Sequence, residues 1–298
     1  MISKEKTSLP TVYPFGTNHS ERIVADLAKL AYEARMQVLN MVYKHQTGHI
    51  GGAFSIAEFL VALFFHHLSL DPQNPAWPER DRLLFSKGHA CAMLYTCLAY
   101  RGFFPIALLD TFRELDSKLQ GHPERTLVPG IEIPAGPLGH GVAIGAGMAL
   151  NAKLEGSKRK IYTILGDGEI NAGLVWEGAL IAAKNKLDNL TVILDYNGVQ
   201  QTGTTNEVLP TGPIADKWRS FGWEVIETNG HNMRSVLDTL DLADEIHLYP
   251  KIIIARTTKG KGISFMEMEP YWHGSSPSEQ QYQAGMKELQ TEVEKWNQ

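Results

Sequence analysis

Two kinds of apolar pattern take turns along the chain. Short apolar or alternating runs at 81–85, 161–165, 190–194, 223–228 and 251–256 have the length of strands. Between them apolar residues recur at helical spacing. Ile23, Leu27, Leu30, Ala34, Val38 and Met41 predict a helix over 21–43, capped by Ser20. Further helices are predicted at 56–68 starting from Ser55, at 91–101, at 106–116 and, rich in small residues, at 142–153. Others are predicted after Gly168 (Leu174, Val175, Ala179, Ile181, Ala182), between 213 and 223, at 233–243 behind Asn232, and from Ser278 onward. Loops rich in proline, glycine or threonine fill 71–80 and 201–213, and residues 1–19 read as an irregular arm.

The stretch 161–200 organises the rest. It runs strand, Gly166-Asp167-Gly168-Glu169 turn, helix, strand, which is a βαβ unit whose strands are parallel neighbours. The expected fold class is α/β: a mainly parallel sheet with helices on both faces, forming one domain over 20–298 behind the 1–19 arm. A net charge of −5 leaves no basic footprint for nucleic acid. No apolar run reaches the length of a membrane span, and residues 1–16 lack the apolar stretch of a secretory leader, so the expected compartment is the cytoplasm. Cys91 and Cys97 fall in an apolar helical pattern and read as reduced core residues.

The chemistry gathers where these strands end. Asp167 and Asn197 sit at the carboxyl ends of adjacent strands, where open α/β sheets bind ligands. A carboxylate, an amide oxygen and the main-chain carbonyl of Val199 are three oxygen ligands for Mg2+ or another divalent cation, leaving places for phosphate oxygens. Gly166 and Gly168 permit close approach, and the following helix turns its N-terminus to the same spot. The competing structural reading is an ordinary Asp-Gly turn, which the later Asn-Gly at the second strand end outweighs. Ser86-Lys87-Gly88-His89-Ala90 places a lysine, a histidine and a helix N-terminus together, which suits an anion. The turn holding Gly136, Leu138 and Gly139 permits backbone approach, and since no strand precedes it, a nicotinamide dinucleotide loop is a poor reading. His231 reads as a surface residue.

The GDGE motif followed one helix and one strand later by Asn197 resembles the diphosphate motif of thiamine diphosphate enzymes. GHIGG at 48–52, SKGHA at 86–90, GHPE at 121–124, PLGHG at 137–141, TTKGKG at 257–262 and WHGS at 272–275 narrow the resemblance to transketolase, from about Ala31 onward. The resemblance implies thiamine diphosphate as cofactor. It gives His49, His122 and His273 catalytic contacts with the donor sugar, and sets His273 beside the cofactor as well. It puts Lys87, His89 and Lys259 on the diphosphate side, and Leu138 against the cofactor rings. The implied reaction moves a two-carbon ketol unit from a ketose, or its phosphate, to an aldose. The chain departs from the family pattern at Ile50 for proline, at His140 for glutamine and at Ala172 for a glutamate, while Glu177 remains.

Everything found belongs to the family's diphosphate-binding module. The expected partner is therefore a C-terminal transketolase subunit carrying the pyrimidine-binding module, most simply in a heterotetramer, with no role for nucleic acid or membrane. Alternatives are a subunit resembling 1-deoxyxylulose-5-phosphate synthase or a 2-oxo-acid dehydrogenase α chain, or a cofactor-binding protein without catalysis. GHPE with WHGS favours transketolase.

Overall fold

The computed structural model describes residues 9–14, 16 and 18–296; the rest of the 1–19 arm and the end of the 20–298 domain lie outside the described residues. Five strands, β1 (Arg82–Phe85), β2 (Ile161–Gly166), β3 (Leu190–Tyr196), β4 (Glu224–Asn229) and β5 (Lys251–Arg256), form one sheet in the order β1-β2-β3-β5-β4. Every pairing is parallel. The expected βαβ unit is present: β2 pairs with β3, and Gly166 lies opposite Asp195.

Alternation along the strands explains why the sheet is covered twice. Ile193 and Ile253 point into one core, while Val192, Leu194, Ile252 and Ile254 point into the other. The first core is filled by α1 (Glu21–His45), α2 (Gly51–Ser55), α3 (Ala57–Ala62), α4 (Cys91–Arg101), α9 (Met233–Glu245) and α10 (Glu279–Lys295). The second is filled by α5 (His140–Leu154), α6 (Gly173–Lys184) and α8 (Ile214–Ser220). Three of these helices start where the sequence places their caps. Ser20 Oγ accepts from Ile23 N at 3.3 Å, Asn232 Oδ1 from Ser235 N at 2.9 Å and Ser278 Oγ from Gln281 N at 3.3 Å. No helix among the described residues is long and apolar enough to cross a membrane.

Three expectations are corrected. The helix expected from Ser55 begins at Gly51 instead. There the chain runs so close to its neighbours that a β-carbon on Gly51 would lie 2.9 Å from Trp272 O, and packing overrides the poor helix propensity of glycine. The segment 106–116 is helical only as a 3₁₀ turn, Ile106–Thr111, because Arg113 and Asp116 take positive φ of 61° and 62°. The loop 201–213 holds a single helical turn, α7 (Thr205–Val208), closed by a capping box between Thr204 and Glu207.

Candidate active site

The carboxyl ends of β1, β2, β3 and β5 deliver Lys87, Asp167, Asn197 and Lys259 to one edge of the sheet. They line a cavity of about 340 Å³, together with His89, His122, Gly136, Leu138, Gly166, Gly168, Val199 and His273. Two expected residues stand just behind this wall. His49 lies with its ring 5.3 Å from that of His89 and 5.4 Å from that of His273. Gly139 sits at the turn into α5 with φ 87°, where a β-carbon would come within 2.5 Å of Ala172 Cβ. Glycine is thus required at the contact between the two turns.

Asp167 is buried and well held. Its Oδ2 accepts from Gly198 N at 2.7 Å and from Thr205 Oγ1 at 3.2 Å. Burial and the nearby Asp195 nevertheless push its carboxyl up to about 6. Asn197 turns its amide nitrogen to Asp195 Oδ2 at 3.0 Å, so its oxygen is the group directed elsewhere; it accepts from Val199 N at 3.2 Å.

The two lysines have different jobs. Lys87 is fully buried and donates to Gly52 O at 2.8 Å and to the Asp195 carboxylate. Burial alone would raise the Asp195 carboxyl, but Lys87 and the hydroxyls of Ser55 and Thr257 hold it below the usual range. The Lys87 charge is thus already neutralised beneath the cavity. Lys259 donates to Gln200 O at 2.9 Å and to Val199 O at 3.2 Å, and burial lowers its ammonium to about 8. It also stands 3.0 Å from His273 Nδ1. As an ammonium it can only donate, so the His273 proton resides on Nε2.

Three imidazoles, His49, His89 and His273, form one cluster, with His89 stacked on His273 at 5.1 Å. Burial first and neighbouring cations second lower them to about 4, 2 and 3. All three are neutral at pH 7, each able to donate one hydrogen bond and accept another. His49 Nδ1 is buried and finds no hydrogen-bond partner among the described residues. His122 is exposed at the outer wall, beside Gly136. His140 is exposed as the first residue of α5, Ala172 is half-buried, and Glu177 is exposed on α6.

The residues present suit a diphosphate with a divalent cation. A β-carbon on Gly166 would meet nothing within 4 Å, so the cavity reaches the backbone there. The raised Asp167 carboxyl lacks a compensating positive charge. Among the described residues no three His, Cys, Asp or Glu side chains group in a way that could hold a metal. A cation at Asp167, Asn197 and the Val199 carbonyl therefore needs oxygens from the ligand itself, as a hard cation with phosphate does.

Several residues escaped the sequence reading. Asp195 anchors Ser55, Lys87, Asn197 and Thr257. A charged residue inside an otherwise apolar buried strand was the available clue. Glu169 accepts from Ser86 Oγ, Gly139 N and Gly166 N, joining three of the loops around the cavity. His231 is not a surface residue. Its Nδ1 is 3.1 Å from Glu58, its Nε2 accepts from Thr258 N at 2.7 Å, and it thereby steadies the residue before Lys259.

Residues 27–295 match the family described as "Transketolase, thiamine diphosphate binding domain". The chain is 41% identical to the 6-deoxy-6-sulfo-D-fructose transketolase subunit SqwG of Clostridium sp. (strain MSTE9), over 90% of this chain and 97% of that one. It is 45% identical to an apulose-4-phosphate transketolase subunit of Actinobacillus succinogenes, over 82% and 88%. Its fold superposes on the crystal structure of transketolase from Campylobacter jejuni with a TM-score of 0.84 at 32% identity. That match covers 91% of this chain and 45% of the solved one, so the chain spans a little under half of the solved enzyme.

Proposed function

This chain belongs to the transketolase family, with its thiamine diphosphate-binding domain, and from that premise we propose that it is the diphosphate-binding subunit of a two-chain transketolase. The proposed reaction moves a two-carbon ketol unit from a ketose phosphate to an aldose phosphate. The carrying observation is the convergence of Asp167, Asn197, Lys259 and the neutral cluster of His49, His89 and His273 on one cavity at the strand ends. The near-complete overlap with two proteins named as transketolase subunits supports the two-chain reading.

When bound, thiamine diphosphate supplies the electron sink for breaking and remaking the bond to the two-carbon unit. The chain's own residues do the rest. Asp167, Asn197 and the Val199 carbonyl hold a divalent cation such as Mg2+. Lys259 and His89 take phosphate oxygens, and Lys87 acts from below by keeping Asp195 and the Asn197 amide in place. Gly136, Gly139, Gly166 and Gly168 keep the backbone close to the ligand, and the exposed Leu138 offers an apolar contact to its rings. His49, with an unpartnered nitrogen, is placed to hydrogen-bond a donor hydroxyl and to accept its proton; His122 and His273 hydrogen-bond the remaining donor oxygens.

The partner is a subunit carrying the pyrimidine-binding module, most simply in a heterotetramer. The test is to assay ketol transfer by the chain alone and together with that partner, with cofactor and Mg2+ present. Transfer only by the pair is the expected result. Full turnover by the chain alone would overturn the two-chain reading, and absence of transfer by the pair with every ketose phosphate would overturn the reaction.

A further inference from the structure

One strained residue close to the site has no structural partner for its side chain. Arg113 holds φ at +61°, a left-handed conformation costly for a long side chain. Its backbone N–H donates to Leu119 O at 2.9 Å, which closes the loop. Its side chain is exposed and makes no hydrogen bond, ion pair or ring contact with any described residue. The acid beside it, Glu114, lies 3.7 Å from His45 instead.

The guanidinium nevertheless has a definite position. A β-carbon on Gly121 would lie 2.8 Å from Arg113 Cζ and 3.1 Å from both Nε and Nη1, so the group faces the backbone just before His122. Its charge also reaches His49 and, after burial, is the foremost of the neighbouring charges that disfavour protonation there. A permanent cation thus stands at the outer wall beside two histidines that come from separate loops. The planar fork of a guanidinium matches a tetrahedral oxyanion, and here its donors are not taken by the protein.

We propose that Arg113 binds the anionic end of the ketose donor and so sets the preference for a phosphorylated over a neutral sugar. This rests on the transketolase reading above and adds to it the residue of this chain that reads substrate charge. The strained backbone then has a use: it aims a guanidinium at the sugar that an unstrained loop would send elsewhere.

The experiment compares a ketopentose 5-phosphate with the matching unphosphorylated ketopentose, using the chain assembled with its partner and one neutral acceptor throughout. Arg113→Asn suits the test because asparagine tolerates left-handed backbone. The expected result is a KM raised about 10- to 100-fold for the phosphorylated donor, from the loss of a charge-assisted pair. Values for the neutral donor should be unchanged, and the rise of KM with ionic strength should flatten. Arg113→Lys, which keeps charge without the fork, should fall between, and it carries the test if Arg113→Asn does not fold. An equal loss with both donors would mean that Arg113 only supports the His122 loop, and this inference would be overturned. Unchanged discrimination in an active variant would overturn it as well. Absence of transfer by the native assembly with either donor would overturn the functional reading, and this inference with it.

Discussion

Glu169 and Gly139, thirty residues apart, meet in a buried hydrogen bond of 2.8 Å, with the glycine N–H donating to the carboxylate. The other carboxylate oxygen accepts from Gly166 N at 3.1 Å, so one side chain ties the turn into α5 to the turn after β2. An amide has a single acceptor oxygen. Glu169→Gln therefore leaves one of these N–H groups facing a donor, at a cost of about 1–3 kcal/mol. The expected outcome is a lower melting temperature without ligand and weaker uptake of thiamine diphosphate. Thermal melts and a cofactor titration check both, and an unchanged melt would show that the two turns do not need the tie.

Asp167 should separate function from stability. Burial and the neighbouring Asp195 disfavour its charge, so Asp167→Asn removes an electrostatic cost while keeping an acceptor for Gly198 N. The ligand-free protein is expected to melt at the same temperature or higher. Cofactor retention at fixed Mg2+ should fall by at least the ~10- to 100-fold that disturbing a metal site typically costs. Calorimetry on the assembled complex reads the second effect, and unchanged affinity would sink the assignment.

His122 is exposed, so its removal should spare the fold. If it contacts the donor sugar, His122→Ala should lower kcat/KM by ~10- to 1,000-fold with little change in cofactor affinity. A steady-state assay with a ketose phosphate decides, and an unaltered rate would reduce the GHPE segment to a turn.

Behind the site, Arg35 donates to Glu58 at 2.7 Å and to Phe54 O at 2.8 Å, and His231 meets the same carboxylate. Burial alone would raise the Glu58 carboxyl, but Arg35 and His231 overcome it and lower the group to about 2 from an ordinary 4.5. The folded value is depressed, so this contribution is complete above pH 4.5 and disappears as pH falls toward 2. Glu58→Gln leaves the buried Arg35 uncompensated, at about 3–5 kcal/mol near neutral pH. The gap between native and variant stability should narrow on acidification, as denaturant melts across pH 6 to 3 would show.

What was legible in the sequence was local. Asp167 and Asn197 each follow an apolar run and open a turn, so their place at strand ends could be read from neighbours a few residues away. The same holds for the caps at Ser20, Asn232 and Ser278. Asp195 was hidden because its partners Ser55, Lys87 and Thr257 are 140, 108 and 62 residues distant. His231 was misread for the same reason, since Glu58 lies 173 residues away. The sequence reading assigned Lys87 to the cofactor by resemblance; only the fold shows its ammonium directed at Asp195. Nothing in the helical spacing of 106–116 announced the positive φ at Arg113 and Asp116 that ends the helix early.

The sheet order has a consequence for how the chain is made. β5 lies between β3 and β4 although it comes last, and β4 pairs with no other strand. As synthesis proceeds from the N-terminus, β4 leaves the ribosome before the strand that will attach it to the rest. Until residues 251–256 emerge, β3 has one bare edge and β4 has two. Lys259 and His273 are encoded downstream of that closing strand, so the growing polypeptide completes its sheet before it acquires the last lysine and imidazole of the cavity. A nascent chain with an open sheet therefore cannot carry a finished site.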